Sequence, residues 1–226
     1  YVLYTDESPY KMQREWLDRL PFDIYSVNVH TGAKRLIGRS YRTAPKWSVN
    51  GKWAVMYDPI AQVWNKFDGA TGKVVNISDA IGYPMFVESY DKPAPAPAYG
   101  IAGWTADGNN VFLYDAYDWW KIDLTGERQP ECLTKGYGRK HGKSIRKMTS
   151  NIDKDVFQKD EKVIVSLWDK DTMDEGVYQL DMKGRLRKLM EGNYVYTIHR
   201  FSDNHEYCVW NRQNVSEFRD LWWSKS

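Results

Sequence analysis

A twelve-residue pattern that returns constrains this chain more than any other feature. Trp47-Ser48-Val49-Asn50-Gly51-Lys52-Trp53-Ala54-Val55-Met56-Tyr57-Asp58 reappears without a gap, 57 positions later, as Trp104-Thr105-Ala106-Asp107-Gly108-Asn109-Asn110-Val111-Phe112-Leu113-Tyr114-Asp115. In each copy a polar-Gly pair follows an aromatic strand end and precedes an alternating apolar run, the signature of a hairpin turn feeding a half-buried strand. Each unit therefore reads as one β-sheet.

Further units emerge when the rest of the chain is laid against this pair. Phe201-Ser202-Asp203-Asn204-His205-Glu206-Tyr207-Cys208-Val209-Trp210 is a degraded third copy, and Val163–Asp169 supplies the inner strand of a fourth. A second strand follows at Tyr25–Asn28, Lys66–Asp68, Lys121–Asp123 and Tyr178–Asp181, with a glycine soon after each, at Gly32, Gly72, Gly126 and Gly184. Short strands in units of about 40 to 58 residues, separated by Gly, Asp and Asn turns, are what β-propeller blades look like in sequence. A β-sandwich has short strands too, but no reason to repeat itself.

The expected fold is thus an all-β propeller fragment of four to five blades, three or four antiparallel strands each, with one short inserted helix. The approximate blades are 1–41, 42–81, 98–136, 144–192 and 193–226, together a single propeller segment. The first and last are incomplete, because the first lacks the aromatic-Ser-x-Asn-Gly strand and the last ends without its outer strand. The chain reads as a piece of a longer propeller, whose open blade edges invite self-association.

The inserted helix is expected where Ser8-Pro9 precedes Met12, Trp16, Leu17 and Leu20 and Pro21 stops the run, the apolar stripe packing on the propeller rim. Tyr90–Tyr99, with Pro93, Pro95 and Pro97 alternating, favours extended polyproline geometry and reads as a stiff connector between blades.

Composition removes several function classes. Lys plus Arg is 32 against 30 Asp plus Glu, so a net charge of +2 gives no global pull toward nucleic acid or an anionic membrane. No apolar stretch approaches the ~20 residues that cross a bilayer, and Tyr1–Asp6 reads as a strand rather than a signal peptide. With 11 Trp, 16 Tyr and 7 Phe, the chain has large side chains suited to stacked pleated sheets.

Catalytic patterns are incomplete throughout. Gly38-Arg39-Ser40 and Gly142-Lys143-Ser144 match only the first half of Gly-x-Ser-x-Gly, since Arg42 and Arg146 stand where the second glycine belongs. Gly138–Ser144 nearly spells a phosphate loop, but Tyr137 occupies the required first glycine position. Lys135, Arg139, Lys140, Lys143, Arg146 and Lys147 make that region basic; it reads as a solvated loop between blades, with an anionic ligand as the sharper alternative. His30, His141, His199 and His205 lack metal-ligand spacing, so no metal or other cofactor is expected. Cys132 and Cys208 lie in different blades and read as buried thiols rather than a disulfide framework. Asn76-Ile77-Ser78 and Asn214-Val215-Ser216 match the glycosylation triplet, a pattern that arises often by chance. Asp58, Asp115 and Asp169 occupy equivalent repeat positions, which suits turn closure rather than an asymmetric catalytic pair.

Four runs carry a family resemblance: Tyr99-Gly100-Ile101-Ala102-Gly103-Trp104-Thr105, Tyr114-Asp115-Ala116-Tyr117-Asp118-Trp119-Trp120, Gly138-Arg139-Lys140, and Ser216-Glu217-Phe218-Arg219-Asp220-Leu221-Trp222. Together they resemble the N-terminal propeller of bacterial prolyl oligopeptidase-family serine peptidases related to dipeptidyl and acylaminoacyl peptidases. The resemblance implies an α/β-hydrolase domain in the same parent chain, absent from these 226 residues, with the propeller covering its active site and admitting short peptides. It also implies a periplasmic or otherwise exported parent. No catalytic, substrate-binding or cofactor residue carries over to this chain. Two alternatives are a stand-alone propeller that binds a protein or peptide partner, and a propeller glycosidase.

Overall fold

The computed structural model describes residues 1–17, 19–148, 155–204 and 206–225. Its strands form five sheets, nearly all of their pairings antiparallel between neighbours in sequence. The chain is all-β, and its successive meander sheets are those of a β-propeller.

The first sheet comprises β1 (Val2–Asp6), β2 (Phe22–Val27) and β3 (Lys34–Tyr41), and the second β4 (Lys46–Trp47), β5 (Trp53–Asp58), β6 (Val63–Asp68) and β7 (Val74–Asn76). The third comprises β8 (Ile101–Thr105), β9 (Asn110–Tyr114), β10 (Trp119–Asp123) and β11 (Glu131–Cys132). The fourth joins β12 (Lys143–Lys147), β14 (Lys162–Asp169), β15 (Glu175–Asp181) and β16 (Leu186–Gly192), and the fifth β17 (Val195–Phe201), β18 (Tyr207–Gln213) and β19 (Asp220–Lys225). One strand departs from sequence order: β13 (Val156–Phe157) leaves the fourth sheet's stretch of chain to pair parallel with β8.

The chain divides into two compact units. One holds residues 1–100 with the turn segments 107–111 and 122–130; the other holds 101–106, 112–121 and 131–226. In the first, Phe22, Ile24, Tyr41, Ala54, Met56 and Phe67 form a buried cluster. In the second, Val177, Tyr196, Ile198, Phe201, Cys208 and Trp210 do the same. β5 is buried at five consecutive positions, Trp53–Tyr57, as a strand covered on both faces must be. β14 alternates instead, burying Val163, Val165 and Leu167.

Repetition in sequence becomes repetition of turns. Asn28, Asp68, Asp123 and Asp181 each end a second strand by accepting backbone N–H groups two to five residues ahead. This Asx geometry lets a short polar side chain close the turn that the following glycine completes. Ser48 and Ser202 show the same logic one strand earlier: each hydroxyl donates to Asn50 or Asn204 at 2.8 and 2.7 Å, and each accepts the N–H of Trp53 or Tyr207. The degraded third copy therefore keeps the turn chemistry of the first, although its His205 lies outside the described residues.

The short helix expected after Ser8 is present as the 3-10 helix Ser8–Gln13, where Tyr10 Oη donates to Asp23 at 2.5 Å, but the packing expected of its stripe is corrected. Its stripe does not pack on a rim: Met12 and Trp16 are 89% and 81% exposed, and of the stripe only Leu20 is buried. A second helical turn, α1 (Tyr137–Lys140), was not anticipated.

The proline-rich connector is folded more tightly than a spacer. It doubles back on Met85–Val87, with Val87 N–H donating to Pro97 O at 2.8 Å and Tyr99 N–H to Met85 O at 3.1 Å. Tyr57 Oη adds a bond to Ala96 O at 3.1 Å.

Candidate functional site

The densest buried polar arrangement lies where the β9–β10 turn meets α1. Asp115 and Asp118, 0% and 1% exposed, sit three residues apart on that turn. Asp115 Oδ1 accepts the N–H groups of Tyr117 and Asp118 at 2.7 and 2.6 Å; its Oδ2 accepts Trp120 Nε1 at 3.1 Å and Arg139 Nη2 at 2.9 Å. Asp118 accepts Thr134 Oγ1 at 2.6 Å and the backbone N–H groups of Gly138 and Arg139 at 2.9 and 3.0 Å. Burying two carboxylates costs heavily unless each is well hydrogen-bonded or charge-compensated; both are hydrogen-bonded here, and Asp115 is paired with Arg139 as well.

Two arginines enclose the turn. Arg139 pairs with Asp115 and lies over the Tyr117 ring, 5.0 Å from its centroid. Arg146 donates to Asp115 O at 2.7 Å and Ala116 O at 3.2 Å while stacking over Tyr114. Lys170 approaches Tyr117 to 4.1 Å, adding a second cation to that ring.

This arrangement corrects the reading of the basic segment as a solvated loop. Arg139 and Arg146 hold the β9–β10 turn, Lys143 pairs with Glu191 at 2.6 Å, and Lys147 pairs with Asp155 at 2.8 Å. The near phosphate loop, moreover, already holds an anion: the N–H groups at the start of α1 point at the Asp118 carboxylate. Gly138 is needed there for space, because a Cβ would lie 2.6 Å from Tyr117 O and 2.7 Å from Lys143 O.

The other sequence candidates are dispersed. Ser144 is buried and donates to Ala116 O at 3.0 Å, while Ser40 takes a left-handed φ of 59° in β3, its N–H donating to the buried Asp23. His141 stacks near Tyr137 and His199 contacts Asn211 at 2.6 Å, in separate parts of the chain. Asn76 and Asn214 each accept two backbone N–H groups ahead of them, so both glycosylation triplets are turn formers. Asp58 and Asp169 close turns as Asp115 does, but Asp115 alone of the three is fully buried and ion-paired. Burial drives the thiols of Cys132 and Cys208 upward, and they are free rather than paired.

Sequence reasoning grouped Asp115 with Asp58 and Asp169 and so missed its special environment. A signal was present in the second aspartate three residues on and the two tryptophans that follow, which neither other copy has.

No family model matches the sequence, and no curated protein does. Solved structures that resemble it include TolB from Acinetobacter baumannii, at 10% identity and a TM-score of 0.46, covering 100% of this chain and 49% of that one. A putative TolB from Agrobacterium tumefaciens has 14% identity and a TM-score of 0.46, over 90% of this chain and 65% of that one. An acylaminoacyl peptidase from Pyrococcus horikoshii has 12% identity and a TM-score of 0.45, over 93% of this chain and 31% of that one. The chain thus spans about half the length of the first of these and less than a third of the peptidase. At such identities and scores they say nothing of what this chain does. The class defined by the sheets is that of an all-β propeller protein, and among the described residues no helix is long and apolar enough to cross a membrane.

Proposed function

We propose that this chain is a non-catalytic propeller segment that gates or positions peptide substrates for a serine-peptidase hydrolase domain in the same parent protein. One observation carries the reading. Two of the runs that resemble the prolyl oligopeptidase family converge on one network: Tyr114–Trp120 supplies both buried carboxylates, and Gly138-Arg139-Lys140 supplies the amides and guanidinium that hold them. The residues that carry the resemblance are thus the ones that fix a turn and a helix against each other, as expected of a segment whose task is shape.

The same network argues against the glycosidase alternative. A glycosidase needs one carboxyl free to donate a proton and another free to attack or activate water. Asp115 and Asp118 spend their oxygens on seven hydrogen bonds from Tyr117, Asp118, Trp120, Thr134, Gly138 and Arg139.

The test is a peptidase assay on two proteins. The 226-residue chain alone is expected to hydrolyse no peptide anilide. The parent is expected to cleave short peptides while sparing folded proteins, in a reaction stopped by a serine-directed inhibitor. Turnover by the isolated chain, stopped by that inhibitor, overturns the proposal. An exported location belongs to the same reading and is checked by fractionating cells that express the parent gene.

A further inference from the structure

A cavity of about 430 Å³ opens in the second unit between the fourth and fifth sheets, of the size that holds small organic ligands. Its walls are apolar, built by Ile164, Val177, Met190, Ile198, Phe201 and Trp210. Its polar lining has one sign of charge: Arg187 on β16 and Lys225 on β19 are cations, Gln179 and Ser224 are neutral, and among the described residues no carboxylate lines it.

The cations nearby are treated differently. Lys188, next to Arg187 in sequence, is neutralised by Glu191 at 3.1 Å. Arg187 donates only to the neutral Gln179 Oε1, at 3.2 Å, and neither it nor Lys225 has an ion-pair partner among the described residues. An apolar space bordered by two uncompensated cations is complementary to a guest with a hydrocarbon body and an anionic head.

We propose that this cleft binds a medium-chain aliphatic carboxylate, its chain among Val177, Ile198 and Phe201 and its carboxylate between Arg187 and Lys225. The proposal does not depend on the peptidase reading. It would hold equally in a stand-alone propeller.

Calorimetric titration of the whole chain with decanoate, decanol and decyltrimethylammonium, each below its micelle concentration, tests the proposal. Decanoate is expected to bind one site at least about tenfold more tightly than decanol, the factor one charge-assisted hydrogen bond supplies, with the cationic amphiphile weakest. Arg187→Gln and Lys225→Gln, both at the solvent rim, should each weaken decanoate about tenfold and leave decanol unchanged. Ile198→Trp should abolish both by filling the space. Equal affinity for decanoate and decanol, or no saturable binding by the wild-type chain, overturns the proposal. So does decanoate binding that survives both rim substitutions, a readout that stands even if Ile198→Trp fails to fold.

Discussion

Asn50 and Asp107 occupy the same position in two copies of the repeat, and they are bonded to each other: Asn50 Nδ2 donates to Asp107 O at 2.8 Å. The same amide reaches Asn109 Oδ1 at 3.3 Å, while its oxygen accepts Lys52 N–H and the Ser48 hydroxyl. One side chain thus closes its own turn and fastens it to the next. Asn50→Ala removes both functions and should destabilise the chain by about 1–2 kcal/mol, read as a lower urea midpoint.

Gly108 completes that contact from the other side. It adopts a φ of 68°, and a Cβ there would fall 2.7 Å from Asn50 Cγ and 2.8 Å from Asn50 N. Gly108→Ala should cost about 1–3 kcal/mol from backbone strain and the clash together. Because the two residues touch, Asn50→Ala combined with Gly108→Ala should lose less than the sum of the single changes, which a double-mutant cycle measures.

In the buried network, Arg139 balances a carboxylate that has no access to solvent. Arg139→Met leaves Asp115 charged and unpaired, at a cost of about 3 kcal/mol. The measurement is equilibrium unfolding in urea. Asp115→Asn in the Arg139→Met background should recover part of the loss, because the uncompensated charge is then gone.

Acid should loosen the Lys143–Glu191 bridge that reaches across the fourth sheet. The ammonium of Lys143, followed by that of Lys188, holds the Glu191 carboxyl down to about 2 from an ordinary 4.5. A carboxylate with a depressed folded value stabilises the protein above its unfolded value, and that contribution drains away as pH falls from about 4.5 toward 2. Glu191→Gln should therefore lower the urea midpoint at pH 7 and make progressively less difference on acidification.

Much of the fold was legible because its turns are chemical. Asx residues and glycines repeat where strands end, and each spells out a hydrogen bond that the structure makes. The packing of the inserted helix was misread because Met12, Trp16 and Leu20 have helical spacing, while the 3-10 helix ends at Gln13 and is anchored by Tyr10 on Asp23 rather than by the stripe. The basic run was misread for a different reason. Arg139, Lys143, Arg146 and Lys147 look solvated when only neighbours in sequence are considered, yet their partners Asp115, Glu191, Asp115 and Asp155 lie 24, 48, 31 and 8 residues away. The parallel strand β13 had no signal at all, since Val156–Phe157 is too short to show a period.

Both thiols should be slow to react. Burial raises Cys132 and Cys208 above the ordinary thiol value, so little thiolate forms near neutral pH. Iodoacetamide at pH 8 should label neither in the native chain and both in urea, as counted by mass spectrometry.

The central claim, a shape-giving propeller that serves a hydrolase domain, is tested most directly by reading the coding DNA that follows the Ser226 codon in the parent gene. The account predicts a Gly-x-Ser-x-Gly between a strand and a helix, then an Asp and a His in that order, over roughly 250 further residues. A stop codon after one further strand would contradict it and leave a stand-alone binding propeller.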